Sequence, residues 1–233
     1  MKKSITFLGA TLLASTTLMG AGSAFAETSI TAAEPTPSTA QTPITAELTV
    51  DTTQKPTLPE GTNDSNHNNT QTTNPLGIAY TPSTLSGTAK LNPSGKQDVA
   101  LSNNSSAGYH VGVKDLTRQK HEWTVTAQLA WTGDTQNYMA GTTIDLTGNT
   151  VVKINNAGTL QEDSTNSVTG QASVKINSTS PVEVMKSNKT VTQNGVYDWE
   201  FTAAQLSIPE VSSVPAGTYS GNINWNLALA PQV

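Results

Sequence analysis

From Ser86 onward, apolar and polar residues alternate in short runs. Tyr109, Val111 and Val113 alternate with His110, Gly112 and Lys114. Trp123, Val125, Ala127, Leu129 and Trp131 alternate with Thr124, Thr126, Gln128 and Ala130. Ile144 and Leu146 alternate with Thr143 and Asp145, and Val174 and Ile176 flank Lys175. Tyr197, Trp199 and Phe201 share a face opposite Asp198 and Glu200. Near the end, Tyr219, Ile223, Trp225, Leu227 and Leu229 share a face opposite Asn222, Asn224, Asn226 and Ala228. Period two with a polar reverse face predicts half-buried antiparallel strands. Gly, Asn, Pro and Ser cluster between the runs as turns. The pattern predicts an all-β fold of roughly nine to eleven strands, an antiparallel β-sandwich that is Ig-like or jelly-roll-like. Short helical candidates lie near Asp115 to Gln119 and Thr202 to Leu206.

Upstream of this pattern the chain changes character. Lys2 and Lys3 precede a largely apolar run from Ile5 to Met19, and small residues end in Ala24-Phe25-Ala26. A basic opening, a short apolar run and an A-x-A site read as a secretory signal peptide over residues 1–26, cleaved after Ala26. The run is too short and too rich in Ser and Thr for a membrane span. Residues 27–43 are rich in Pro, Thr and Ala and read as a solvated spacer. A first strand is expected from Ile44 to Asp51, with Leu48 and Val50 on one face. Residues 52–76 form a long polar loop that includes Asn63-Asp64-Ser65-Asn66-His67-Asn68-Asn69. Residues 44–233 are expected to form one domain.

Composition sharpens the picture by exclusion. The 233 residues carry 12 Lys+Arg and 17 Asp+Glu, a formal net charge of −5, which falls to −7 once Lys2 and Lys3 are lost with the signal. The chain holds 38 Thr and 19 Asn, a single arginine (Arg118) and no cysteine. No basic face for nucleic acid is present. Disulfides, thiol catalysis and Cys-ligated zinc have no residues to use. Abundant Thr, Val and Ile with few charges favours a β-rich extracellular protein.

No catalytic constellation is signalled. His67, His110 and His121 are the usual bases available to a serine nucleophile, but no G-x-S-x-G elbow occurs, and the three read as surface positions. Glu162 and Asp163 are adjacent in a polar loop, and Asp198 with Glu200 reads as a solvated strand face rather than a glycosidase pair. The Asp145-Leu146-Thr147-Gly148-Asn149 stretch lacks the Gly and Glu that a calcium loop needs at later positions. No phosphate-cradling glycine loop occurs. No cofactor and no metal is expected. Trp123, Trp131, Trp199 and Trp225 all lie on the apolar parity of their strands, which points to core packing before ligand stacking.

Two of these tryptophans carry a family signal. The stretch Pro215-Ala216-Gly217-Thr218-Tyr219-Ser220-Gly221-Asn222-Ile223-Asn224-Trp225-Asn226-Leu227 resembles the distal motif of the WxL domain, a Tyr shortly before Trp-x-Leu near the chain end. Lys114 to Ala127, with Asp115, Arg118 and Trp123-Thr124-Val125, resembles the proximal motif, with Val125 in place of Leu. Ala140 to Leu146 fits the run between them. By this resemblance the motif residues Trp123, Val125, Tyr219, Trp225 and Leu227 are the expected binding positions. The resemblance implies a secreted protein of low-GC Gram-positive bacteria that attaches noncovalently to peptidoglycan. It also implies surface complexes with a membrane-anchored WxL-interacting partner and other WxL proteins.

The residues add their own constraint. No apolar C-terminal tail and no ordered sortase signal are present (Leu58-Pro59-Glu60-Gly61-Thr62 is out of order), so binding is expected to hold the mature chain on the cell wall without a transmembrane segment. The expected function is a non-enzymatic, cell-surface wall-binding protein. The alternative is an adhesin or structural surface subunit whose main ligand is another protein, a WxL-interacting partner or a host matrix protein, with strand addition as a route.

Overall fold

The computed structural model describes residues 37–51, 53–103 and 105–231. The signal-peptide reading and most of the spacer lie outside these residues. The chain divides into a unit of residues 1–47 and a unit of residues 48–233. In the first, residues 37–47 are exposed and carry no strand. Among its described residues the second holds thirteen strands. In chain order these are β1 (His67–Asn69), β2 (Leu76–Pro82), β3 (Gln97–Leu101), β4 (Tyr109–Asp115), β5 (Trp123–Thr132), β6 (Thr143–Gly148) and β7 (Lys153–Asn156). They continue with β8 (Thr159–Glu162), β9 (Val168–Gly170), β10 (Ser173–Ile176), β11 (Val182–Ser187), β12 (Gly195–Ile208) and β13 (Ser220–Leu229). No helix occurs among the described residues, and none is long and apolar enough to cross a membrane.

All named pairings are antiparallel and fall into two sheets. The larger has nine strands built around β12, whose first half lies between β4 and β7 and whose second half lies between β3 and β6. The smaller runs β13-β5-β11-β9. The inner rows read from the sequence meet between the sheets. Trp123, Val125, Ala127 and Leu129 of β5 share one buried cluster with Val111, Val113, Leu146, Ile176, Tyr197, Trp199 and Phe201 of the larger sheet. Trp199 is clasped by two glycines. A Cβ at Gly148 would lie 2.2 Å from its ring and one at Gly170 2.3 Å, so only glycine fits at either position.

Several expectations are corrected. The strand count exceeds the expected range by two, because β1, β7, β8 and β9, of three or four residues each, are too brief to show periodicity. The Ile44–Asp51 stretch is not a strand: among the described residues it pairs with nothing, and Ile44 and Leu48 are each 93% exposed. The helical candidates fail as well. Thr202 to Leu206 lies within β12, held by pairing to β3 and β6, and Asp115 ends β4.

The long polar loop contains β1 and reaches the start of β2, and it packs rather than trailing in solvent. Asn155 Nδ2 donates to the Thr57 carbonyl at 2.7 Å, Asn69 Nδ2 to the Pro56 carbonyl at 3.1 Å, and Glu60 N to the Gly158 carbonyl at 2.9 Å. Lys114 Nζ donates to the carbonyls of Gln54 and Thr72. These bonds lay the loop over the outer side of the larger sheet, so every residue of β4 is buried, on both parities.

That cover explains the largest departure from expectation. His67 and His110 are buried, not surface residues, and Asp198 is only 1% exposed, not on a solvated face; His121, also buried, packs instead against Asp115 and Ser187. Beneath the loop, Tyr80 Oη donates to Asp198 Oδ2 at 2.8 Å and Asn155 Nδ2 donates to Tyr80 Oη at 3.0 Å. His110 donates from Nδ1 to Asp198 Oδ1 and from Nε2 to the Ala107 carbonyl, both at 2.9 Å. Two acceptors on two ring nitrogens require the imidazolium. Burial alone would lower the His110 pKa, but the Asp198 carboxylate and the Ala107 carbonyl raise it above its ordinary value.

Candidate functional site: the motif sheet and its outer face

The two sequence motifs lie side by side. β5 and β13 pair in continuous register over ten positions, with Trp123 opposite Leu229, Val125 opposite Leu227, and Ala127 opposite Trp225. The motifs therefore run antiparallel, their third residues directly opposed. Trp123 and Val125 are fully buried. Trp225 and Leu227 are half-buried and pack against the same cluster from the edge of the sheet.

Trp123 is held by a polar clamp. Its Nε1 donates to Asp115 Oδ2 at 2.9 Å, and His121 Nε2 donates to the same oxygen at 2.6 Å. Asp115 Oδ1 accepts from the Thr117 amide and hydroxyl at 3.1 and 2.6 Å. The Trp123 amide donates to Ser187 Oγ at 2.8 Å, which donates on to the His121 carbonyl at 3.0 Å. A buried carboxylate needs such a ring of donors. The Asp seen before the proximal tryptophan is thus the acceptor for that tryptophan's indole. Trp123 holds the sheet in place and offers no ring to a ligand. Arg118 turns the chain in the left-handed region, with φ of 57°, and its side chain is exposed.

Tyr219 sits one residue before β13. Its hydroxyl donates to the Pro215 carbonyl at 2.9 Å, and its ring packs on a second small cluster of Met139, Ile208, Val211 and Val214. Trp131 joins the two clusters and donates from Nε1 to Thr142 Oγ1 at 3.0 Å. Tyr219 and the 40%-exposed Tyr138 line an open cleft of about 250 Å³ together with Asp134, Gln136, Thr218 and Ser220. Both Asp134 oxygens cap turn amides, those of Tyr138 and Met139. Burial, then the nearby Asp134 and Tyr138, raises the Tyr219 pKa, so the ring carries a neutral hydroxyl.

The outward side of the same two strands is polar and uncharged. Asn222, Asn224 and Asn226 are exposed, and their side chains have no hydrogen-bond partner among the described residues. Across the register they face Ala130, Gln128 and Thr126. Gln128 Nε2 donates to the Ser178 carbonyl at 3.0 Å. Alternate residues along a strand repeat every ~7 Å and strands lie ~4.8 Å apart, so these groups form a regular lattice of amides and hydroxyls. Charge enters only on β11, where Lys186 and Glu183 stand 3.9 Å apart.

The other polar assemblies are sealed. Tyr80, His110 and Asp198 are at most 2% exposed and out of reach of a bulky substrate. Among the described residues no group of three or more His, Asp or Glu is placed to hold a metal ion.

No curated protein and no solved structure matches the chain. One family model does, the WxL domain, described as surface cell wall-binding, over residues 33–231. That span includes both strands of the motif pair, the Asp115 clamp and Tyr219, and the chain belongs to the WxL family of surface, cell wall-binding domains.

Proposed function

We propose that the exported protein is retained on the bacterial surface by binding peptidoglycan noncovalently, without turnover, through the outer face of β5 and β13 and the tyrosine-lined cleft at the end of that face. The row of Asn222, Asn224 and Asn226 carries the reading: exposed amides without partners among the described residues, on the outer face of a paired sheet. Each amide both donates and accepts, which suits a polymer of hydroxyls and N-acetyl groups. Tyr138 and Tyr219 supply apolar ring area with a polar tip, suited to the face of a sugar ring. The chain is acidic at −5 overall, and a wall rich in anionic polymers opposes its approach. An uncharged contact face supports short-range binding despite that repulsion. Several weak contacts along one polymer add by effective concentration. Within the same reading the protein joins surface complexes with a membrane-anchored partner and other WxL proteins, which the open edge of β13 supports.

The test is sedimentation with purified sacculi stripped of teichoic acid, with soluble muropeptides as competitor. The protein is expected to pellet and to be released by the competitor. Failure to pellet with sacculi, beside capture by a purified surface protein, would favour the alternative of an adhesin with a protein ligand.

A further inference from the structure

The edge of β13 and the segment before the loop are each incomplete, and each has what the other lacks. β13 ends its sheet. Among the described residues it pairs with β5 alone, over ten positions without a bulge, and it carries no Lys or Pro to blunt its open side. Natural edge strands of this length are normally protected. The shortfall also shows in burial. On β5, Trp123, Val125 and Ala127 are fully buried, whereas their register partners Leu229, Leu227 and Trp225 are 52% exposed, half-buried and half-buried. A strand outside β13 would cover that row.

Residues 44–51 have the pattern of such a strand. Ile44, Ala46, Leu48 and Val50 fall on one parity, and Thr45, Glu47, Thr49 and Asp51 on the other. Among the described residues the segment has no strand partner, and Ile44 and Leu48 are each 93% exposed. The family match begins at residue 33 and so takes in this stretch. Set beside β13, its apolar row would extend the row of Ile223, Trp225, Leu227 and Leu229, and its Thr residues would extend the polar face of Asn222, Asn224 and Asn226.

We propose that residues 44–51 of one copy add as an outer strand to the free edge of β13 in a second copy. A second copy is required because the chain just beyond the segment is tied down. Lys114, on the outward parity of β4, holds the Gln54 carbonyl, and Asn155 holds that of Thr57. From Gln54 back to Val50 the chain spans at most ~14 Å. β13 lies in the opposite sheet, beyond a ~10 Å intersheet spacing and the thickness of the outer layer itself. Each copy carries one donor and one acceptor. Pairing therefore closes as a reciprocal two-fold dimer or continues head to tail. The interaction is separate from wall binding, which uses the side chains of the sheet face rather than the backbone of its edge.

Light scattering over a range of concentrations tests this on the exported chain and two variants, Leu48→Glu in the donor and Leu229→Lys in the acceptor. Both side chains are largely exposed, and circular dichroism checks that each variant folds. The exported chain should associate, and each variant should need at least about tenfold more protein to do so. A peptide of residues 43–51 should dissociate the assembly while a scrambled peptide does not. A chain that stays monomeric at every concentration, or one whose variants associate unchanged, would overturn the proposal. Protection of the 44–50 amides from hydrogen exchange in a strict monomer would overturn it too, by showing closure within one chain.

Discussion

Lowering the pH from 6.5 to 4 should weaken the fold by about 3 kcal/mol through one residue, His67. The ring is fully buried. Its Nδ1 donates to Asn66 Oδ1 at 2.7 Å, and its Nε2 accepts the backbone N–H of His110 at 3.1 Å. A second proton would displace that N–H. Burial first, and then the positive charge of His110, pushes the pKa from 6.5 down to about 4, with Asp198 opposing. The unfolded chain binds a proton near 6.5 that the folded chain refuses. The His67 contribution is therefore full above 6.5 and is lost as pH falls toward 4. A drop from 6.5 to about 4, at 1.36 kcal/mol per pKa unit, gives about 3 kcal/mol, a large share of the ~5–15 kcal/mol typical of a domain. His110 has the opposite sign: its raised pKa contributes stability that is complete below 6.5 and lost as pH rises through the folded value. It adds no slope in the acid window. Asp51, Asp98 and Glu210 have lowered pKa values, so their contribution is present above the ordinary carboxyl range and lost only below it. Urea unfolding from pH 4 to 8 should show this slope in the native protein and its loss in His67→Gln, whose side chain still offers an acceptor. A flat profile in the native protein, or an equal slope in the variant, would refute the reasoning.

Three further outcomes follow from the same geometry. Asp115→Ala leaves the Trp123 indole and the Thr117 amide without their acceptor, and should cost at least ~3 kcal/mol in urea unfolding, with a shift in tryptophan emission. Trp123→Ala should cost about 3–5 kcal/mol as a full core truncation, and Trp225→Ala distinctly less, because Trp225 is only half-buried; equal losses would contradict its placement at the sheet edge. Wall association should strengthen as pH falls from 7 toward 5 and as salt rises at pH 7, since both relax repulsion between an acidic chain and anionic wall polymers; bound fraction on walls with and without teichoic acid reads this out.

The inner half of the sandwich was legible because it is a matter of parity. Tyr109, Val111, Val113, Tyr197, Trp199 and Phe201 all point where alternation puts them. The outer half was not. His110, Lys114 and Asp198 are on the polar parity, as read, yet they are buried by a loop of Asn, Thr and Pro that is held by carbonyl bonds rather than by apolar residues. Such a cover leaves no periodic trace. Edge position is equally silent: β13 and β5 have the same alternation, but one has neighbours on both sides and the other on one. The stretch at 44–51 has a strand's alternation but no strand partner among the described residues, which parity alone cannot distinguish. For the candidate site, the motif residues Trp123, Val125, Tyr219, Trp225 and Leu227 could be picked out by resemblance. Their direct pairing, and the asparagine row on the reverse face, needed the register.

The central claim is that the reverse face of the motif pair holds the wall. The most direct measurement is sedimentation with purified sacculi of the triple variant Asn222→Ser, Asn224→Ser, Asn226→Ser, beside the native protein and with circular dichroism on both. These side chains are exposed and have no partners within the described residues, so the variant should fold as the native protein does. The account predicts a folded variant that stays in the supernatant while the native protein pellets. A folded variant that pellets as well as the native protein would contradict it.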